Sequence, residues 1–99
     1  MDIAANQVKM IAKEDLAGFK FSKEDVLKDE VDKRKLRAVY LRKAEALGNA
    51  YKGKVKLTFV SADNQLFAVE TTVWAASDDY VSLKASVNIP VISILEIEF

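Results

Sequence analysis

Two hydrophobic rhythms meet near Gly53. After it, apolar positions recur at every second residue. Val55, Leu57 and Phe59 alternate with Lys54, Lys56 and Thr58, the mark of a strand with one buried face. Ser61, Ala62, Asp63 and Asn64 follow, and side chains that bond their own backbone predict a turn there. From 65 to 76 there is no breaker, and Val, Thr, Phe and Trp abound. At ~3.3 Å per residue that stretch would reach about 40 Å if flat, so it must bend. Ser77, Asp78 and Asp79 turn the chain again, and residues 80–85 form a third strand with Val81, Leu83 and Ala85 inward. Residues 87–89 form a fourth, stopped by Pro90, which has no N–H to give a ladder. Residues 90–93 read as one tight turn. Leu95, Ile97 and Phe99 then point inward from a last strand, alternating with Glu96 and Glu98.

Before Gly53 the period lengthens to that of a helix. Ser22 is placed to cap a helix starting near Lys23, with Asp25 reaching back to the Ser22 amide and Phe21 and Val26 forming a hydrophobic staple. At 100° per residue, Leu36, Val39, Tyr40, Ala44, Leu47 and Tyr51 share one face with Val26, whereas Leu27 and Val31 fall off it. That mismatch predicts either one helix or two, with a break near 29–32 and Asp29 as the second cap. Gly48 supplies the stop. Residues 1–21 fit neither period. Lys13-Glu14-Asp15-Leu16 reads as a single helical turn, Phe19 and Phe21 as an extended piece, and the whole as an irregular arm lying over the core of its own domain or a neighbour's.

The fold class predicted is α+β in one domain, 1–99: an arm at 1–21, a helical segment at 22–48, and a five-stranded, strongly bent antiparallel sheet at 54–99. In this order, and in the run Asp78-Asp79-Tyr80-Val81-Ser82-Leu83, the chain resembles the Sm-like superfamily over about 32–99. That resemblance implies a small open β-barrel roofed by the helix, and RNA as a partner. Ser82 stands where the family carries a base-contacting Asn, and no glycine follows Gly53.

Composition narrows the chemistry. Among 99 residues there is no cysteine and no histidine, which removes disulfides, thiolate metal sites, Ser-His pairs and the commonest general base. The isolated Gly18, Gly48 and Gly53 form no phosphate loop, so no cofactor is expected. Asp63, Asp78 and Asp79 read as turn formers rather than cation ligands. Glu96 and Glu98 share one strand face about 7 Å apart, a spacing open to a carboxylate-only hydrolase but also that of a solvated edge. No apolar run nears the ~20 residues of a membrane span, and no leader pattern is present, so a cytoplasmic protein is expected.

Charge divides the chain as well. Residues 1–54 carry 13 Lys and Arg against 9 Asp and Glu, and residues 55–99 carry 2 against 6. In the basic run 33–43, Arg34 and Arg37 are the candidate phosphate contacts, although on the wheel the cations spread over the whole solvent arc. Trp74 and Tyr80 flank the turn at Ser77, and Trp74 and Leu66 have the parity opposite to Val69 and Val73. Trp74, Leu66 and Tyr80 are therefore the candidate interaction surface, unless the outer pair packs beneath the helix. The functional expectation is a non-catalytic interaction or scaffold module that self-associates through a strand edge or this surface. An Sm-like RNA-binding protein is the alternative.

Overall fold

A computed structural model describes residues 8–84 and 86–99. It holds one helix and two sheets. The strands are β1 (Lys9–Met10), β2 (Val55–Val60), β3 (Leu66–Thr71), β4 (Val73–Ala76), β5 (Tyr80–Leu83), β6 (Val87–Pro90) and β7 (Ile94–Glu98), and the helix α1 is Val31–Tyr51. One sheet has the order β1-β3-β2-β7 and the other β4-β5-β6. The expected fold is thus met as α+β, but not as a single five-stranded sheet or a closed barrel. Each strand anticipated by the two-residue period lies close to where it was expected, although the third ends at Leu83 rather than 85 and Pro90, expected to stop the fourth, is its last residue, opposite Tyr80; the long one is divided at Thr72 into β3 and β4, one for each sheet. That division is the predicted bend. Pairing is antiparallel throughout except for β1, which runs parallel to β3.

Phe59, Leu57, Val69, Val73, Val81, Leu83, Ile89 and Ile94 are fully buried apolar side chains of the main cluster. Burying each stabilises the fold by about 1.5–3 kcal/mol before chain entropy is charged against it. From residue 8 on, the arm covers this cluster: Leu16 is buried, and Phe19 stands edge-on to Phe59 and Phe67 at 5.4 and 5.0 Å, while residues 1–7 of the expected arm lie outside the described residues. The Ile11 amide donates to the Ala68 carbonyl at 2.8 Å and the Ser22 amide to the Val60 carbonyl at 3.0 Å. The predicted single turn at Lys13–Leu16 is a 3-10 turn. The tight turn before the last strand is another, Val91–Ser93.

The helix differs from its prediction in three ways. It starts at Val31, not near Lys23. The side chains expected to cap it there are engaged elsewhere: the Ser22 hydroxyl donates to the Glu24 carbonyl at 2.9 Å, and Asp25 accepts from the Leu27 amide at 2.9 Å. Such local bonds hold the backbone in turns that compete with helix. Leu27 is then drawn into the interior. Neither Ser22 nor Asp29 caps α1, whose N-cap, Glu30, makes no side-chain cap bond.

Gly48 does not end the helix either. It lies within α1, where a Cβ would sit 2.0 Å from the Val73 carbonyl oxygen, so the helix and β4 touch backbone to backbone. Lys52, at φ 53°, is the left-handed residue after the last turn. Finally, the buried face is Arg37, Leu41, Ala44 and Gly48, about 100° around the wheel from its predicted centre at Leu36. Leu36, Val39 and Tyr51 are exposed.

A bulge rotates the last strand. Phe59 pairs with Ile94 and Thr58 with Glu96, so Leu95 has no partner across the ladder. Ile94 and Ile97 are both buried as a result, and Leu95, expected inward, is only half-buried; Phe99, also expected inward, lies past the end of β7 and is exposed. Ala85, also expected inward, lies outside the described residues.

Candidate functional site

Arg37 lies where solvent was expected. Its Nη2 donates to Asp25 Oδ2 at 2.8 Å, and its Nη1 donates at 3.0 Å both to Asp25 Oδ1 and to the Ile94 carbonyl. With 6% of its side chain exposed, Arg37 ties the 22–30 turns, α1 and β7 together. It is not free to meet phosphate. Burial pushes the Asp25 carboxyl up, but the bonds from Arg37 and the Leu27 amide and the charges of Arg37 and Arg34 outweigh it, leaving the group below the usual carboxylate range. Arg34, one turn away, is half-buried. The two predicted phosphate contacts therefore do not form a pair.

The proposed aromatic surface divides too. Leu66 is buried and contributes no surface. Trp74 and Tyr80 are exposed. The parity conflict at Trp74 is resolved by a bulge: Val73 pairs with Leu83 and Ala75 with Ser82. Trp74 is the extra residue, which lets Val73 and Ala76 both turn inward while Trp74 faces out, 44% exposed and not packed under α1.

Two surfaces remain. The first is a groove of about 460 Å³ between α1 and β7, lined by Leu36, Tyr40, Leu95 and Ile97 over Leu27 and Arg37. Phe99 extends it, standing edge-on to Tyr40 at 5.8 Å, and Val39 is exposed beside it. At its rim, Lys33 is paired with Glu30 at 3.1 Å. Among the described residues the outer edge of β7 has no strand neighbour. This groove escaped the sequence reading because its helical residues were assigned to the core.

The second surface surrounds Trp74. One hollow there, of about 340 Å³, has walls that include Lys13, Lys52, Lys54, Lys84, Glu14 and Glu70. A second, of about 390 Å³, is bounded by Ser82, Ser86 and Asn88, and Trp74 and Lys84 line both. Ser82 Oγ donates to Asn88 Oδ1 at 2.8 Å, leaving the Asn88 amide nitrogen to donate outward. The four lysines come from three separate places in the sequence, which is why no basic run announced them.

At β4, α1 reaches across to the strand. Glu45 Oε2 accepts from the Ala76 amide at 2.9 Å and Arg42 Nη1 donates to the Ala76 carbonyl at 3.1 Å. Glu98 pairs with Lys56 at 3.7 Å and Glu96 lines the α1 groove, so the two carboxylates face different neighbours. Asp63 accepts from the Ser61 hydroxyl, and the Ser77 hydroxyl accepts from the amides of Asp79 and Tyr80 at 3.3 and 3.1 Å, as expected of turn residues. Among the described residues no group of three or more acidic side chains is placed to hold a metal, and no helix is long and apolar enough to cross a membrane. No protein-family model, curated protein or solved structure matches the chain.

Proposed function

We propose that this chain is a non-catalytic interaction module that binds further copies of itself through the outer edge of β7 and the α1 face beside it. The observation that carries this reading is the apolar groove lined by Leu36, Tyr40, Leu95 and Ile97 next to an unpaired strand edge. An unpaired edge offers a row of amides and carbonyls to another strand. Exposed apolar side chains beside it supply the area that backbone bonds alone do not. Charge supports a second copy as the occupant. The first half of the chain carries an excess of four cationic groups and the second half an excess of four anionic ones, so head-to-tail contact places opposite signs together.

The same reading takes the two sheets as the parted halves of an Sm-like arrangement, with a helix, a long strand bent at Thr72, and one 3-10 turn before the last strand. The lack of cysteine supports a cytoplasmic setting.

Sedimentation velocity and light scattering at micromolar concentration test the reading. A dimer or larger assembly is expected, reduced to monomer by Leu36→Glu with Val39→Glu while the circular dichroism stays unchanged. A strict monomer for the unaltered chain, or an assembly indifferent to both substitutions, overturns it.

A further inference from the structure

We propose that the surface around Trp74 docks an acidic segment of a partner protein, one that carries an aromatic or aliphatic side chain among its carboxylates. The surface shares no lining residue with the α1–β7 groove, and the inference does not depend on self-association.

Three observations fit this occupant. The first is charge. Lys13, Lys52, Lys54 and Lys84 stand with Glu14 and Glu70 around one hollow, four cations against two carboxylates in a chain whose formal net charge is zero. Among the described residues none of the four lysines lies within 4.0 Å of a carboxylate. Ammonium groups gathered on one concavity without internal partners are left to be answered from outside. The second observation is how that charge is carried. Lys52, Lys54 and Lys84 are exposed, and a lysine brings a point charge on a flexible stem rather than the fixed fork of an arginine. Among the described residues no arginine lines the hollow. Such a set makes a broad field and not a tight cradle for one small anion. An extended acidic chain can meet its charges in turn.

The third observation is Trp74 itself. It is the bulged residue of β4 and 44% exposed, so its ring offers apolar area in the midst of the charge. A large aromatic side chain ringed by polar groups is the usual anchor of a protein–protein contact. The neighbouring hollow supplies partners for a peptide main chain: Ser82 Oγ donates to Asn88 Oδ1 at 2.8 Å, which leaves the Asn88 amide nitrogen to donate to a visiting carbonyl. Trp74 and Lys84 line both hollows, so one segment can touch lysines, indole and Asn88 together. Contact runs through side chains and not by adding a strand at the end of β4, where the Ala76 amide and carbonyl are already held by Glu45 and Arg42.

Trp74 is the chain's one tryptophan, so its fluorescence reports on the site directly. The probe is a synthetic peptide with blocked ends, about eight residues of Asp and Glu around one Phe and one Leu. Extended at ~3.3 Å per residue, it crosses a molecule whose shortest extent is 23 Å. We expect it to shift the Trp74 emission to the blue at low salt, with the shift fading as salt rises. A twin with Asn and Gln in place of the acids, or with Ser in place of Phe and Leu, should bind at least about fivefold more weakly. Each Lys→Gln at 52, 54 or 84 should weaken binding roughly two- to fivefold, and Glu70→Gln should tighten it. Trp74→Ala, followed by anisotropy of the labelled peptide, should weaken it by about fivefold or more, with circular dichroism unchanged. Absence of any shift at millimolar peptide overturns the proposal. So does an equal shift from the neutral twin, or an affinity indifferent to all three lysines. Tighter binding of pyrophosphate or of an oligothymidylate than of the peptide assigns the lysines to phosphate and overturns it as well. The Leu36→Glu, Val39→Glu chain should show the same shift; loss of the shift there would tie this surface to assembly and sink the separate docking site.

Discussion

The groove between α1 and β7 and the surface around Trp74 both leave large apolar side chains in water, yet they ask for different company. In the groove, Leu36, Tyr40, Leu95 and Ile97 lie together, Phe99 stands against Tyr40, and the one lysine, Lys33, is already answered by Glu30. Around Trp74 a single ring stands among lysines that no described carboxylate answers. An exposed aromatic therefore says little by itself. The charges beside it, and whether they are already paired, decide whether a surface selects apolar area or an anion.

The two surfaces also rest on different supports, and this gives ways to separate them. The largest effect is expected beneath the groove. Arg37→Ala removes both Nη groups from Asp25 and bares the Ile94 carbonyl, costing about 3 kcal/mol in urea unfolding, and it should loosen the 22–30 turns and β7 before the Trp74 surface. Hydrogen exchange that fails first at β4 would reverse that order. Next comes Gly48→Ala, expected to cost about 2–3 kcal/mol because a backbone oxygen 2.0 Å away cannot swing aside as a side chain can. Its damage should appear at β4, with a shifted Trp74 emission maximum. An unshifted spectrum with full stability would mean the helix can lift off the strand at little cost.

Smaller still are the surface changes. Trp74→Ala and Leu36→Glu should each alter unfolding free energy by no more than about 0.5 kcal/mol in urea unfolding, and only the second should weaken the proposed assembly. Assembly lost on Trp74→Ala would join the two surfaces into one site. The last effect depends on pH. The Asp25 carboxyl lies below its ordinary value in the folded chain, so its contribution is complete above the unfolded value of about 3.9 and is lost as pH falls through the folded value. Asp25→Asn should therefore lower Tm at pH 7 and match the unaltered protein in strong acid. A Tm difference that persists at pH 2 would show that the loss is one of shape and not of charge.

These differences also explain what the sequence could and could not disclose. The strands were legible because one buried face imposes a period of two, and Val55, Leu57, Phe59, Val81 and Leu83 keep it. Where a bulge intervenes, parity fails silently: nothing local marks Leu95 or Trp74 as the extra residue, since each is fixed by its partner strand. The helix face was misjudged for a related reason. A wheel counts arginine as solvent and leucine as core, but Arg37 is buried by a carboxylate twelve residues away, and Leu36 is left outside. Gly48 reads as a stop because glycine often ends helices, whereas here it makes room for the backbone of β4. Arg34 and Arg37 stood out as a basic run. The lysines around Trp74 did not, because only the folded chain brings them together.

The bonds from Glu45 and Arg42 to Ala76 have a consequence for how the proposed self-association can extend. An amide and a carbonyl already engaged by side chains give a visiting strand nothing to grip, so α1 acts as a seal along that margin of the second sheet. Among the described residues the other free margins, apart from the two-residue β1, belong to β6 and β7, which a single 3-10 turn joins. One continuous ribbon, 87–98, thus holds both borders open to the proposed docking. A synthetic peptide copying that ribbon should act as a chain terminator, halting growth without unfolding any subunit.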